Sequence, residues 1–453
     1  MAMDFERSNI LRKRAHDLIP GGCHTYAKGD DQYPALAPGF IARGLGGHVW
    51  DVDGNEFIEY GQGNRCVGLG HAFPAVIEAA QRELGLGANF TRPAPLEITA
   101  AEELLKLVPG ADMVKFCKDG SDATTAALKL ARAITGRDKV AICHDHPFFA
   151  INDWFISTTP LNAGIPRSVR ELTVEFNYND LESVRRMFSE HPGEIAAVIL
   201  EPAKYDDPED GFLHKLKELC HANGAIFILD EMISGFRWHN GGGQAYYNIE
   251  PDLSTFGKAM GNGFSVSALA GKREYMELGG LRHDRERVFL LSTTHGGETH
   301  SLAAAIATMQ VYQREPVIET LFARGHRLLK EGNQIIARHG LDANVQIFGK
   351  PCCLIYFTKD QQGERSQEFR SLLLQEMIRR GVLMATLVVS YTHTNDDIDR
   401  TLAALDESLT IYKRALEDGV ERYLVGPPSQ TVYRRHNSPS TNGHAAVPAR
   451  VSI

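Results

Sequence analysis

Residues 225–258 read AIFILDEMISGFRWHNGGGQAYYNIEPDLSTFGK, and they contain the strongest indications of the fold. It begins with a continuous apolar run, residues 225–229, that ends in a pair of carboxylates beginning with Asp230. A short run of this kind is typical of a strand that is buried on both faces of a sheet. Open α/β sheets bind ligands at the carboxyl ends of their strands, so Asp230 is predicted to lie at such an edge. Lys258, next to Gly257, has room for a large group on its amine.

Helices alternate with short apolar strands through much of the rest of the chain. Strands are predicted at 113–116, 139–143 and 195–200, and amphipathic helices such as 121–135 lie between them. This alternation predicts an α/β fold whose large domain has a mostly parallel sheet between helices. A smaller α/β domain is expected from the N- and C-terminal segments.

The predicted organisation has four parts. Residues 1–85 form an N-terminal segment of the small domain, 86–330 the large domain and 331–425 the C-terminal part of the small domain. Residues 426–453 lack periodicity and are rich in Pro, Ser and Asn, which predicts a disordered tail.

Composition excludes several classes of protein. The net charge of −9 argues against general nucleic-acid binding, which needs a basic face. No run approaches the roughly 18 apolar residues of a membrane span, and the N-terminus lacks the apolar core of a secretory signal. The seven cysteines are scattered without a CxxC pair, as expected for reduced thiols in a cytoplasmic protein without a metal site.

Three chemical groups are predicted to meet at one edge of the sheet. The turn Gly120-Ser121-Asp122 opens a helix after a strand, and free N–H groups at such a position bind phosphate. Asp230 adds a carboxylate and Lys258 an amine. The combination fits pyridoxal 5'-phosphate (PLP): the turn holds the phosphate, Asp230 keeps the pyridine nitrogen protonated, and Lys258 forms the Schiff base.

Each group also has a purely structural interpretation. Taken alone, the turn is more typical of a plain helix cap in which Ser121 or Asp122 is the capping residue. Asp230 could pair with an arginine or cap a loop, and a single lysine such as Lys258 is usually a solvated surface group. Their joint occurrence at one edge favours the cofactor site.

Several motifs resemble those of the class III aminotransferases of PLP fold type I, nearest to glutamate-1-semialdehyde aminomutase and its relatives. The resemblance extends from Ile19 to Tyr412. The motifs that carry it are DEMISGFR (230–237), PDLSTFGKAMGNGFSVSALAGKREYME (251–277), KDGSDATTAALKLARAITGRDK (118–139) and AAVILEP (196–202).

The resemblance assigns roles to matching positions. Lys258 matches the Schiff-base lysine, Asp230 the acid on the pyridine nitrogen, and residues 120–122 the phosphate turn. Met232 matches the apolar residue that packs against one face of the ring. Thr294 resembles a threonine that reaches the phosphate of the neighbouring subunit, which implies a homodimer with shared active sites.

Departures from the family concern the substrate pocket. The family's Tyr-His-Gly is replaced within residues 144–149, and we select Phe148 as the ring that stacks on the cofactor, with a core phenylalanine as the alternative. The aminomutases have Ser-Trp where this chain has Gly63-Asn64. Arg65 follows, and Asn64 and Arg65 are candidate substrate residues; Arg65 could hold a carboxylate or simply brace its loop.

The functional prediction is a PLP-dependent aminotransferase. It would move an amino group from an amino-acid donor to a ketone or aldehyde acceptor in a biosynthetic pathway. An intramolecular aminomutase of the glutamate-1-semialdehyde type is the alternative, although residues 385–390 replace a longer aminomutase segment that carries a pocket glutamate. A catalytically silent scaffold is a third possibility, which the presence of both Lys258 and Asp230 opposes.

Overall fold

The computed structural model of the chain describes residues 3–146 and 150–437. Two compact units are formed. Of the described residues, Arg65–Gly68 and those within Pro74–Ile318 form the central unit. The terminal unit comprises the described residues up to 64, residues 69–73 and the described residues from 319 onward. Among the described residues, no helix is long and apolar enough to cross a membrane.

The strands of the described chain are, in order, β1 (Ile41–Leu45), β2 (His48–Asp51), β3 (Glu56–Glu59), β4 (Met113–Cys117), β5 (Lys139–Cys143), β6 (Thr173–Phe176), β7 (Ile195–Leu200), β8 (Ile226–Asp230), β9 (Leu253–Phe256), β10 (Ser267–Gly271), β11 (Val345–Phe348), β12 (Ile355–Thr358) and β13 (Val382–Leu383). The helices are α1 (Glu6–Leu18), α2 (Gln62–Arg65, a turn of left-handed backbone), α3 (Pro74–Leu84), α4 (Pro95–Leu107), α5 (Gly120–Thr135), α6 (Asp153–Ile156), α7 (Arg167–Arg170), α8 (Leu181–Glu190), α9 (Phe212–Ala222), α10 (Gly242–Tyr246), α11 (Arg273–Met276), α12 (Thr299–Arg314), α13 (Val317–Arg338), α14 (Gln367–Arg379) and α15 (Asn395–Asp418).

The central unit contains a seven-stranded sheet in the order β4-β10-β9-β8-β7-β5-β6. Strands β9, β8, β7, β5 and β6 are parallel, and β10 lies antiparallel between β9 and β4. The predicted α/β fold with a mostly parallel sheet is therefore confirmed.

Strand β8 lies in the middle of this sheet and is buried along its whole length. Successive side chains of a strand point to opposite faces. Ile228 accordingly packs into a core that contains Leu128 of α5, whereas Phe227 and Leu229 pack into a second core with Phe212 of α9. Helices cover both faces, which explains why the sequence of β8 is apolar without alternation.

The terminal unit joins the two ends of the chain in one small domain. Its four-stranded sheet has the order β1-β2-β3-β13, and β13, from the C-terminal part, pairs in parallel with β3. Phe57 of β3 shares a core with Ile378 and Leu383. A separate hairpin is formed by β11 and β12.

The limits of the units differ from the predicted limits for identifiable reasons. Helix α3 belongs to the central unit, not to the N-terminal segment 1–85, because it packs against α12. Nearly all of α13 belongs to the terminal unit, not to the predicted domain 86–330, since its inner face packs there, with Gly332 against Ile347.

Residues 427–437 differ from the prediction of a disordered tail over residues 426–453, because side chains of the terminal unit hold them in place. Ser429 is 1% exposed, and its backbone N–H donates to Oγ of Ser371 at 2.8 Å. Arg434 forms an ion pair with Asp31 at 2.6 Å. These polar contacts, which composition does not reveal, hold residues 427–437 within the terminal unit; residues 438–453 lie outside the described residues.

Candidate active site

Two acidic residues lie at the ends of neighbouring parallel strands in the central sheet. Asp230 is the last residue of β8, and Glu201 directly follows β7. Leu200 pairs with Leu229, so the next residues along, Glu201 and Asp230, come opposite each other. Because opposite residues of a ladder point to the same face, the two carboxylates are neighbours at the carboxyl edge.

The Asp230 carboxylate is buried, with 3% of the residue exposed. Its Oδ1 accepts hydrogen bonds from the backbone N–H of Met232 at 3.0 Å and from Oγ1 of Thr255 at 3.2 Å. Burial, reinforced by the negative charge of Glu201, raises the pKa of Asp230 to about 6, against the opposing effect of Lys258. Oδ2 receives no hydrogen bond from any described residue and is available to an external donor.

Lys258 begins a 3-10 turn that is separated from β9 by Gly257, and it has a left-handed backbone, with φ of 44°. Its Nζ has no hydrogen-bond or ion-pair partner within the described part of the chain. Burial lowers the pKa of this amine; Asp230 and Glu201 oppose the effect, and the nearby positive charge of two arginines adds to it. A larger fraction of the amine is therefore neutral than for a surface lysine, which suits a nucleophile or a base.

Two glycines bring these groups close to the start of helix α5. A Cβ on Gly257 would lie 2.5 Å from Oγ of Ser267 and 2.7 Å from Sδ of Met232. A Cβ on Gly120 would lie 2.9 Å from the same sulfur. Met232 is therefore enclosed between the segment that carries Lys258 and the N-terminus of α5.

The N-terminus of α5 is capped by Asp119. Its Oδ1 accepts the backbone N–H groups of Ser121 at 2.8 Å and Asp122 at 3.1 Å. The structural interpretation that named Ser121 or Asp122 as the cap is wrong in detail, because the residue before the turn has the extended backbone of an N-cap. The same N–H groups that would hold a phosphate thus have a carboxylate partner within the chain.

Of the remaining predicted residues, Arg65 lies near enough to Lys258 to lower the pKa of its amine. Thr294 is exposed, and its carbonyl accepts Nδ2 of Asn89 at 2.9 Å. Arg65 belongs to the central unit and Asn64 to the terminal unit; both have a left-handed backbone. Phe148 lies outside the described residues.

Three further residues of the site escaped prediction from the sequence: Glu201, Asp119 and Arg237. Arg237 is 1% exposed and donates to the carbonyl of Arg65 at 2.8 Å, and both arginines lower the pKa of Lys258. The signal for Glu201 was present, since AAVILEP has the same form as the apolar run that ends in Asp230.

The comparisons with known proteins agree with this arrangement. The class-III aminotransferase family matches residues 26–409. The chain belongs to the class III aminotransferases. This aminotransferase is 33% identical over 428 residues to glutamate-1-semialdehyde 2,1-aminomutase of Desulforamulus reducens, covering 89% of this chain and 98% of that protein. It is 32% identical over 425 residues to 3-aminobutyryl-CoA aminotransferase of Cloacimonas acidaminovorans, covering 91% and 99%.

Solved structures confirm the predicted PLP fold type I. The aminotransferase superimposes on the FumI protein of Sphingopyxis sp. MTA144, which was solved with PLP, with a TM-score of 0.83 and 29% identity. The match covers 91% of this chain and 98% of that chain. An omega-transaminase from Sphaerobacter thermophilus gives a TM-score of 0.81 at 25% identity and covers 90% and 98%.

The protein is thus a PLP-dependent aminotransferase, which transfers an amino group from an amino-acid donor to a ketone or aldehyde acceptor. The site residues fit the cofactor. Three groups lie around Met232: an amine that has no partner among the described residues, a buried carboxylate with one oxygen available, and a helix N-terminus. The amine is complementary to the carbonyl of PLP, the carboxylate to its ring nitrogen, and the helix N-terminus to its phosphate.

Proposed function

We propose that Lys258, Asp230 and the start of α5 form the PLP site of this aminotransferase. Lys258 would bind the cofactor covalently, Asp230 would face the pyridine nitrogen, and Gly120, Ser121 and Asp122 would hold the phosphate. The observation that carries the proposal is the enclosure of Met232 between Gly257 and Gly120, which joins the lysine segment to the helix N-terminus. In the same arrangement Met232 would pack on one face of the ring.

The residues divide the work by their charge states. Bound PLP supplies an electron-accepting ring that stabilises negative charge at Cα of the amino donor. Lys258, with its lowered pKa, takes the proton from that Cα and returns it on the way to the keto product. Proton transfer of this kind contributes about 10²–10⁴ in rate. Asp230, fixed by Met232 and Thr255, holds the ring nitrogen in its protonated form.

Arg65 is our candidate for binding a substrate carboxylate. The guanidinium group of arginine binds carboxylates through two parallel hydrogen bonds. Buried Arg237 holds the Arg65 backbone, which supports a fixed position; bracing of the loop is the competing role. Arg65→Lys should raise KM for an acidic donor at least about tenfold and leave the bound PLP spectrum unchanged, since lysine lacks the planar fork. An unchanged KM would indicate that Arg65 only braces its loop. Asn64 is the second candidate for a substrate-binding residue.

We also propose a cytoplasmic homodimer with shared active sites. Leu86 is 71% and Phe90 51% exposed, and this apolar segment is tied to the Thr294 region because Thr299 donates to the carbonyls of Gly87 and Ala88. Burial of this segment by a second copy would bring Thr294 to the partner's phosphate. Phe90→Glu should give a monomer in light scattering with reduced PLP affinity; an unchanged dimer would contradict the assignment. None of the seven cysteines is in a disulfide, which is compatible with the reducing compartment that we propose.

An aminomutase remains the second candidate, favoured by the relatives that carry that name. The two activities are separated by adding candidate amino acids singly to the purified protein. An aminotransferase loses the band near ~420 nm of lysine-bound PLP when the correct donor is added, and releases one keto acid per site. An aminomutase needs no external donor and isomerises a single aminoaldehyde. Failure of the protein to take up PLP would refute both.

A further inference from the structure

Glu201 is a buried acid that the predicted site did not include. The residue is 3% exposed, and neither carboxylate oxygen accepts a hydrogen bond from a described residue. Nζ of Lys204 lies 3.2 Å from Oε1 as an ion pair without hydrogen-bond alignment. A buried charge with so few partners destabilises a fold. A residue with only a packing role would be better apolar at this position.

Titratable side chains near Glu201 lie at or shortly after the ends of three other strands of the central sheet, β8, β9 and β5. Asp230 lies opposite it at the end of β8, Lys258 follows β9, and His146 follows β5. Glu201 raises the pKa of Asp230 and opposes the burial that lowers the pKa of Lys258. It also opposes the burial that lowers the pKa of His146 to about 4, so that imidazole is neutral at pH 7. The field of Glu201 therefore reaches both principal residues of the site.

We propose that Glu201 is a positioning residue for transamination. Its carboxylate adds a second negative charge beside Asp230. Together with Lys204, it sets how strongly the site favours the protonated form of lysine-bound PLP. The inference rests on the roles proposed above for Asp230 and Lys258. A nearby negative charge favours a cationic form, and a nearby positive charge disfavours it. Removal of the Glu201 charge and removal of the Lys204 charge must therefore act in opposite directions.

The test is a pH titration of the ~420 nm band in purified holoenzyme without substrate. In Glu201→Gln the midpoint at which the band is lost should fall by about one pH unit, and in Lys204→Met it should rise by about half a unit. Glu209→Gln is the matched control, because it removes an exposed carboxylate from the same loop and should leave the midpoint unchanged. Glu201→Asp keeps the charge and should stay near the wild-type midpoint.

A purely structural role predicts a different pattern. Glu201→Gln and Lys204→Met would then lower the melting temperature and leave the midpoint of the band within about 0.2 pH units of wild type. Alternatively, both variants would shift the midpoint in the same direction. Either result overturns the proposal. If Glu201→Gln does not fold, the sign of the Lys204→Met shift decides alone. A wild-type protein without the ~420 nm band would refute the PLP site itself, whereas a normal wild-type band with unmoved variants refutes only the role of Glu201.

Discussion

Asp119 is the residue whose substitution tests the phosphate site most sharply. Its carboxylate occupies the N–H groups of Ser121 and Asp122 at 2.8 and 3.1 Å. A PLP phosphate on the same helix N-terminus would compete for these donors and would lie beside a like charge. The raised pKa of Asp122, caused first by burial and then by Asp119, shows that negative charge is already disfavoured there. We predict that Asp119→Asn binds PLP more tightly than the wild type.

The size of the effect follows from distance and screening. A phosphate oxygen that shares these donors would lie within about 5 Å of the carboxylate, since each N–H···O bond is about 2.9 Å long. Two unit charges at about 5 Å repel by about 0.8 kcal/mol in water and about 3 kcal/mol at an effective dielectric constant of 20. Asp119 is exposed, so solvent screening favours the lower part of this range. We expect about 1.4 kcal/mol, or a tenfold lower Kd.

Stability must be separated from binding. Asparagine caps helices about as well as aspartate, so Asp119→Asn should unfold within about 0.5 kcal/mol of wild type. Asp180 is the matched control, because it caps α8 in the same way, with Oδ1 accepting two N–H groups at 3.0 Å each. Asp180→Asn should change neither PLP affinity nor stability.

The assay is titration of the apoenzymes with PLP, repeated with inorganic phosphate as a competitor. A tenfold gain in PLP affinity that shrinks at high salt would support the reasoning, because salt screens exposed charges. An unchanged affinity in Asp119→Asn would refute competition between Asp119 and the phosphate. A weaker affinity would refute it as well and would show that the Asp119 carboxylate assists PLP binding.

Three further perturbations have defined outcomes. Gly257→Ala should weaken PLP binding and lower the free energy of unfolding by about 1–3 kcal/mol through overpacking, as measured by denaturant unfolding. Adding Ser267→Ala should restore part of the lost stability, because it removes the 2.5 Å contact. A Gly257→Ala variant with unchanged stability would contradict the close packing. Thr255→Val removes a hydrogen bond that lowers the pKa of Asp230, so the acid limb of the kcat/KM profile should move to higher pH; an unmoved limb would argue against Asp230 as the titrating group. His48 donates a hydrogen bond to Asp397 at 2.8 Å, and this bond is the main reason that the pKa of His48 is raised. The contribution of the pair to folding stability is therefore complete below the unfolded pKa of about 6.5. It is lost as the pH rises through the folded pKa. His48→Gln should therefore destabilise the protein most at about pH 5–6 and progressively less as the pH rises through the raised pKa of His48. A loss of stability that is independent of pH would count against the ion pair.

The parts of the site that sequence predicts are those that local pattern determines. The apolar run before Asp230 predicts a strand buried on both faces, and β8 occupies the middle of the central sheet. The turn at residues 120–122 predicts a helix N-terminus, and α5 begins at Gly120. In both cases the evidence lies within a few residues of the feature itself.

The parts that sequence did not predict depend on contacts between distant segments. The pairing of Glu201 with Asp230 requires the register of β7 on β8, which periodicity does not give. Residue type does not distinguish Asp119 as the cap, because Ser121 and Asp122 are equally good capping residues. The ordering of residues 427–437 depends on the side chains of Ser371 and Asp31, far away in the sequence.

The roles proposed for the site residues all depend on covalent binding of PLP by Lys258. The most direct measurement is borohydride reduction of the purified enzyme followed by peptide mass spectrometry, because reduction makes the bond between lysine and PLP permanent. We predict a phosphopyridoxyl group on the peptide that contains Lys258 and loss of the label in Lys258→Ala. An unlabelled Lys258, or a label on another lysine such as Lys272, would contradict the account.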